Sequence, residues 1–173
     1  MPQTLADAFS LLGGSGYDLG ILLVVLPLSF LLGAVFFSHV NYQISWTTYF
    51  ATINIIHIAV LGTKLQWHYM LSFVSGSHQF IVGVLISLQL CALGVLKAAA
   101  ATGRSNNAYG HSGYSWFALL PLFDLILIFS KARFPPRGGY RVFITEFGGL
   151  LLAVLLFFIY RSLSNHVASI TGG

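Results

Sequence analysis

The chain has 173 residues, of which 57% are hydrophobic and 7% are charged. Ordinary soluble domains carry about 25% charged residues, so the composition excludes a typical water-soluble domain and predicts an integral membrane protein. Eight Lys and Arg residues against four Asp and Glu residues give a net charge of +4. These basic residues are not interleaved with stacking aromatic residues, so we expect contact with the lipid bilayer and no nucleic-acid partner.

Five apolar segments follow one another along the chain. The predicted spans cover about 19–40, 46–70, 78–101, 115–130 and 140–163. Four of them reach the ~20 residues that a helix needs to cross the hydrocarbon core of a bilayer. Together they occupy nearly the whole chain, so we predict one integral membrane domain over residues 1–173. Its expected fold is all-α, a polytopic bundle of about five transmembrane helices.

The fourth segment leaves an alternative open. It is short and Pro121 interrupts it, so it is also consistent with a re-entrant segment or half-span beside four full spans. The stretch before it, residues 102–115, is rich in Gly, Ser and Asn and is expected to be a loop. The turn after it holds a basic cluster. We expect this cluster to contact lipid and, by the positive-inside rule, to set the orientation of the chain in the membrane. That cluster comprises Lys131, Arg133, Arg137 and Arg141.

Two carboxylates flank this basic turn, inside the apolar runs. Asp124 lies about 10 Å, and Glu146 about 9 Å, from the ends of the predicted helices, so the two acids are expected at similar depth. A buried carboxylate must pair, protonate or face water. Two acids in contact would share a proton and form an ion or proton site. Alternatively, they pair with neighbouring cations such as Lys131 or Arg141 and only fix the hairpin, or they contact a partner subunit.

The second span is the most polar one. Asn54, His57 and Lys64 are spaced to share one helix face, which must avoid lipid. The face therefore marks a seam between helices, a cavity or a contact with another subunit. With Asp124 and Glu146, these three residues are our candidates for an ion, proton or inter-helix polar site.

His57 also raises the question of a cofactor. A haem with two histidine ligands would need a partner at the same depth, and His39 lies about 15 Å away along the membrane normal. His68 and His78 flank one short loop that contains no carboxylate, so we predict no metal site. No cofactor is predicted; a single His57 ligand to haem or a pigment remains an alternative.

These observations predict function only in outline. No nucleophile elbow, zinc-binding helix or phosphate loop occurs, so we expect no catalytic residues and no enzyme. The favoured hypothesis is a non-enzymatic accessory or assembly subunit of a larger membrane complex. The alternatives are a proton- or ion-coupled transporter or channel oligomer, and a haem- or pigment-binding subunit. Expected partners are other membrane subunits or further copies of the chain. The expected location is a bacterial cytoplasmic membrane, or alternatively an organelle inner membrane.

Overall fold

The computed structural model of the protein describes residues 16–73, 77–120, 123–133 and 140–171. Within these ranges the chain forms six helices and no strand, so the all-helical prediction is confirmed. The helices are α1 (Gly16–Phe37), α2 (Trp46–Phe73), α3 (Ser77–Tyr109), a 3-10 helix (Ser112–Leu119), α4 (Asp124–Phe129) and α5 (Tyr140–Thr171).

Helices α1 and α3 pack closely because glycines remove side chains from their contact. A Cβ added at Gly94 would lie 2.7 Å from the carbonyl oxygen of Leu26 and would also meet Ser29. A Cβ at Gly33 would lie 2.9 Å from the Cβ of Ala98. Residue numbers rise together along the two contacting faces, so α1 and α3 run parallel.

Helix α5 packs against α2 in the same direction. Gly149 lies against Thr47, and further along the Tyr160 ring lies 5.3 Å from the His57 ring, centroid to centroid. Helix α2 runs antiparallel to α3, since its first turns lie beside the last turns of α3. The four long helices therefore alternate in direction, and α4 and the 3-10 helix lie at one end of the bundle. We call this the α4 end.

The core lies where α1, α2 and α3 meet. Its larger cluster includes Phe30, Ile53, Ile56, Ala98 and Leu127, all of them buried. A smaller cluster of Val82, Ile86 and Leu90 lies away from the α4 end. Side chains such as these stabilise a fold by close packing, which in lipid replaces much of the hydrophobic effect.

Two segments differ from the sequence prediction. Residues 102–115 do not form a loop, because α3 continues to Tyr109 and a 3-10 helix follows directly. Several of their polar side chains are buried, and two of these bond to the chain: the Ser105 hydroxyl donates to His111 O, and the Asn106 amide donates to Tyr42 O. Residues 115–130 do not form one helix either. Their described part divides between the 3-10 helix and the six residues of α4.

Among the described residues, two helical segments are long and apolar enough to cross a membrane. They are Ile81–Tyr109, with 29 residues, and Phe147–His166, with 20 residues. A core helix of a soluble protein or a signal sequence passes the same test of length and composition. The structure therefore supports a membrane protein in outline and does not confirm a bundle of five spans.

Candidate functional site

A buried ion pair lies near the α4 end of the bundle. Lys97 Nζ of α3 lies 2.9 Å from Asp124 Oδ2, and the exposed fractions of the two side chains are 8% and 4%. The Tyr49 hydroxyl of α2 donates a hydrogen bond of 2.7 Å to Asp124 Oδ1. Tyr49 thus bonds to Oδ1, whereas Oδ2 is held by the ion pair and accepts no hydrogen bond of good geometry from the described residues. Three helices therefore meet at one side chain. We call these three residues the Asp124 cluster.

Helix α4 presents Asp124 on its buried face. Asp124 is the first residue of α4, and Leu127 and Ile128 share this face. A carboxylate is favourable at the first turn of a helix, where backbone N–H groups point toward it. Removing two charges from water costs several kcal/mol per ion, on the order of what their attraction returns. The pair is thus suited to fixing one arrangement of α2, α3 and α4.

Arg104 holds the other end of α4. Its side chain is fully buried; Nε donates to Leu127 O over 2.8 Å, and NH2 donates to Ser130 O. Its NH1 group also donates to Asn107 Oδ1 over 2.7 Å. The last carbonyls of a helix have no partner within the helix. Arg104 supplies that partner, and its rigid fork explains how so short a helix is held in place.

The link between α1 and α2 is fastened to the same part of α3. The Tyr42 hydroxyl donates to Ala99 O, and Ile44 N donates to Gly103 O over 3.1 Å. Burial raises the pKa of the Tyr42 phenol, so this hydroxyl stays protonated and remains a donor. The last turns of α3 therefore anchor the α1–α2 link, the 3-10 helix and α4.

The structure pairs Asp124 differently from the sequence hypotheses. Lys131 had been considered as its partner, but the Lys131 side chain is exposed and the ion pair forms with Lys97. Glu146 and Arg141 belong to α5, but their side chains are not among those the structure describes. An Asp124–Glu146 contact therefore stays a prediction.

The polar residues of α2 lie along α5. Asn54 is buried, and its amide donates to Phe50 O over 2.9 Å and to Ala153 O of α5 over 3.4 Å. His57 is half-buried against the Tyr160 ring. Lys64 belongs to α2, but its side chain is outside the described set. Asn54 and His57 thus lie at the α2–α5 seam, and His57 is also close enough to Lys97 and Asp124 to interact with both charges through space.

The basic cluster follows α4 directly. Lys131 and Arg133 are exposed, and Arg133 NH1 donates to Tyr109 O over 3.1 Å. The Arg133 backbone N–H also donates to Asn107 O over 2.9 Å, which ties this segment to the end of α3. Arg137 lies outside the described residues.

Sequence reasoning missed three residues that build the site, namely Tyr49, Lys97 and Arg104. The sequence did contain a signal for Lys97, which stands alone in the apolar run LQLCALGVLKAAAA. An ionisable residue inside such a run needs a partner, and Asp124 is the partner of Lys97. Lys97 and Arg104 are both buried.

Within the described residues, no group of three or more His, Cys, Asp or Glu side chains is arranged to hold a metal ion. Comparisons with protein-family models, with curated proteins and with solved structures find no match to this chain. The functional argument therefore depends on the contacts of the chain itself.

Proposed function

We propose that this protein is an integral membrane protein that serves as a non-enzymatic accessory or assembly subunit of a larger membrane complex. The observation that carries the proposal is the buried Asp124 cluster, in which the carboxylate forms an ion pair with Lys97 and accepts a hydrogen bond from Tyr49. Such a cluster holds α2, α3 and α4 in one arrangement, as a structural subunit requires. The proposed location is a bacterial cytoplasmic membrane, with an organelle inner membrane as the alternative.

The outer surface supports a membrane environment. Large apolar side chains such as Leu32, Phe36 and Phe158 are 62–70% exposed. In the segment Phe147–His166, only 6% of an apolar 18-residue stretch is buried inside the bundle. A soluble core helix would be mostly buried, and soluble monomers rarely expose contiguous apolar patches of more than a few hundred Å². Lipid or another hydrophobic chain is the natural environment of this surface.

The packing of α5 supports a role as a subunit. It contacts α2 along one narrow stripe that includes Gly149, Ala153 and Tyr160. Leu151, Leu155 and Phe158 project from a different face and are 57–62% exposed. Helices associate in lipid through packing and polar contacts. A helix with one described neighbour and a wide apolar face is suited to packing against a helix of another membrane protein.

The test is purification of the tagged full-length protein in a gentle detergent, with quantitative mass spectrometry of the chains that accompany it. The proposal expects at least one other membrane protein at a fixed molar ratio in two different detergents. A matched preparation of an unrelated tagged membrane protein identifies the background. A pure homo-oligomer in both detergents would contradict the proposal.

Ion- or proton-coupled transport is the second candidate, and the buried Lys97–Asp124 pair is the observation that favours it. Ionisable residues inside membrane segments often belong to proton relays. The test is ion or proton flux in liposomes, comparing wild type with Asp124→Asn/Glu146→Gln. Transport through these acids requires that wild type shows flux and that the double variant loses it. Equal flux in both preparations eliminates this candidate.

A further inference from the structure

The outer side of the α4 end combines an apolar face with two cations. Helix α4 buries Asp124, Leu127 and Ile128. Its opposite side is entirely apolar and exposed, and Phe129 is 80% exposed. We call this side the α4 outer face; it is formed by Phe123, Leu125, Ile126 and Phe129.

Exposed aromatic side chains also lie on the neighbouring 3-10 helix, whose Phe117 ring lies 5.8 Å from the Phe123 ring, centroid to centroid. The 3-10 helix buries Ser115 and Ala118 and exposes Tyr114 and Trp116. Tyr and Trp are enriched where a membrane meets water, because an apolar ring and a polar tip suit that boundary. Lys131 and Arg133 follow α4 directly and are exposed, and Arg133 NH1 also donates to Tyr109 O.

The charges of this end sort into buried and exposed sets. Lys97 and Arg104 are buried, so lipid phosphates cannot reach their cationic groups. Asp124 is also buried, so no carboxylate of α4 opposes the exposed cations. The exposed charge described beside the α4 outer face is therefore positive, which complements anionic phosphate.

The backbone of this end also suits the edge of a bilayer. Short and irregular helices are tolerated near lipid only where their polar groups are satisfied by protein or water. Arg104 satisfies the carbonyls at the end of α4, and the Arg133 segment bonds to the end of α3. The α4 outer face can thus lie against acyl chains without exposing those carbonyls.

We propose that the α4 end binds the surface of an anionic phospholipid leaflet, with the α4 outer face at the acyl boundary and Lys131 and Arg133 on the phosphate groups. This inference rests on the proposed membrane location. By the positive-inside rule it places the α4 end on the cytoplasmic side or its organelle equivalent. Because the four long helices alternate in direction, α1 begins and α5 ends at the opposite side. The fold is then four crossings with a returning segment between α3 and α5.

The binding test places the purified full chain in nanodiscs assembled from equal amounts of phosphatidylglycerol and phosphatidylcholine. Mass spectrometry then measures the ratio of the two lipids that stay bound to the protein when it is released from the nanodisc. Wild type should enrich phosphatidylglycerol. The Lys131→Gln and Arg133→Gln substitutions should each lower that enrichment about fivefold, which corresponds to about 1 kcal/mol per cation near a charged surface. The control is Arg161→Gln, at an exposed cation of α5, which should leave the enrichment unchanged. Unchanged enrichment in Lys131→Gln/Arg133→Gln would overturn the proposal.

A second measurement tests depth independently of lipid charge. With Cys91, the single cysteine, replaced by Ala, a spin label is attached to Phe129→Cys. The proposal expects the label to collide more with oxygen, which concentrates in lipid, than with a polar nickel reagent. The reverse ratio overturns it, and low collision with both reagents indicates burial by a protein partner and also overturns it. If the protein leaves membranes without detergent, the proposed function itself fails, which is a separate outcome.

Discussion

Lys97 Nζ and Asp124 Oδ2 lie 2.9 Å apart in a part of the bundle that excludes most solvent. The end of α3 and the 3-10 helix lie between the two residues in the sequence. The ion pair therefore brings the start of α4 back against the middle of α3. A buried ion pair adds little net stability, yet removing one partner is costly because a charge is left uncompensated. This asymmetry makes the pair testable.

Asp124→Asn should destabilise the protein strongly. The amide keeps an oxygen for the Tyr49 hydroxyl but leaves the Lys97 ammonium without its counter-ion, at a cost of about 3–5 kcal/mol. The measurement is the free energy of unfolding in mixed micelles titrated with a denaturing detergent. The double variant Lys97→Met/Asp124→Asn should recover most of the loss. The single variant Lys97→Met completes the comparison. If the loss of unfolding free energy in the double variant equals the sum of the losses in the two single variants, the pair is not coupled.

Tyr49→Phe tests the hydrogen bond from the Tyr49 hydroxyl to Asp124 Oδ1. The ring still fills its buried position, but the hydrogen bond to the carboxylate is lost, which should cost about 1.5–3 kcal/mol. The control is Tyr114→Phe, at an exposed phenol, which should change the free energy of unfolding by less than about 0.5 kcal/mol. Equal effects in the two variants would contradict the assigned role of Tyr49.

Arg104→Lys should loosen α4 while leaving the long helices intact. A lysine keeps the charge but lacks the planar fork that donates to Leu127 O and Ser130 O. Hydrogen exchange of the α4 amides should accelerate about fivefold to thirtyfold, as expected for the loss of one or two hydrogen bonds of ~1 kcal/mol each. Arg161→Lys, at an exposed guanidinium, is the matched control. Unchanged protection of α4 would refute the capping role.

Gly94→Ala tests the close contact of α1 with α3. The added Cβ would lie 2.7 Å from Leu26 O and would also meet Ser29, so the helices must separate. Overpacking of this kind costs about 1–3 kcal/mol. Gly62→Ala is the control, because a Cβ at Gly62 meets no described atom within 4 Å and alanine favours a helix by about 1 kcal/mol. Thermal unfolding in detergent should move in opposite directions for the two variants, and a shift of the same sign would contradict the packing described here.

The long helices were largely predictable because their lengths follow from apolar runs. The predicted spans beginning near 46, 78 and 140 correspond to helices that begin at Trp46, Ser77 and Tyr140. The end of α3 was missed for a physical reason. Ser, Asn and Gly usually indicate a loop, but Ser105 and Asn106 instead bond to the backbone of neighbouring segments and remain helical.

The candidate site was predictable only in part. Asp124 was recognisable as an acid that needs a partner, but the identity of the partner depends on how α3 and α4 pack. Lys97 precedes Asp124 by 27 positions, and helix rotation decides whether they meet. Tyr49 carried no signal at all, since a tyrosine near a helix start is also common at membrane interfaces.

The central claim is that this chain is a membrane scaffold whose buried charges hold its own helices for assembly with other chains. The most direct measurement is the composition of the particle obtained by gentle purification of the tagged protein, with chain ratios determined by quantitative mass spectrometry. Our account predicts another membrane protein at a fixed ratio, and loss of that partner in Asp124→Asn but not in Lys97→Met/Asp124→Asn. A partner-free homo-oligomer that conducts ions through Asp124 would contradict it.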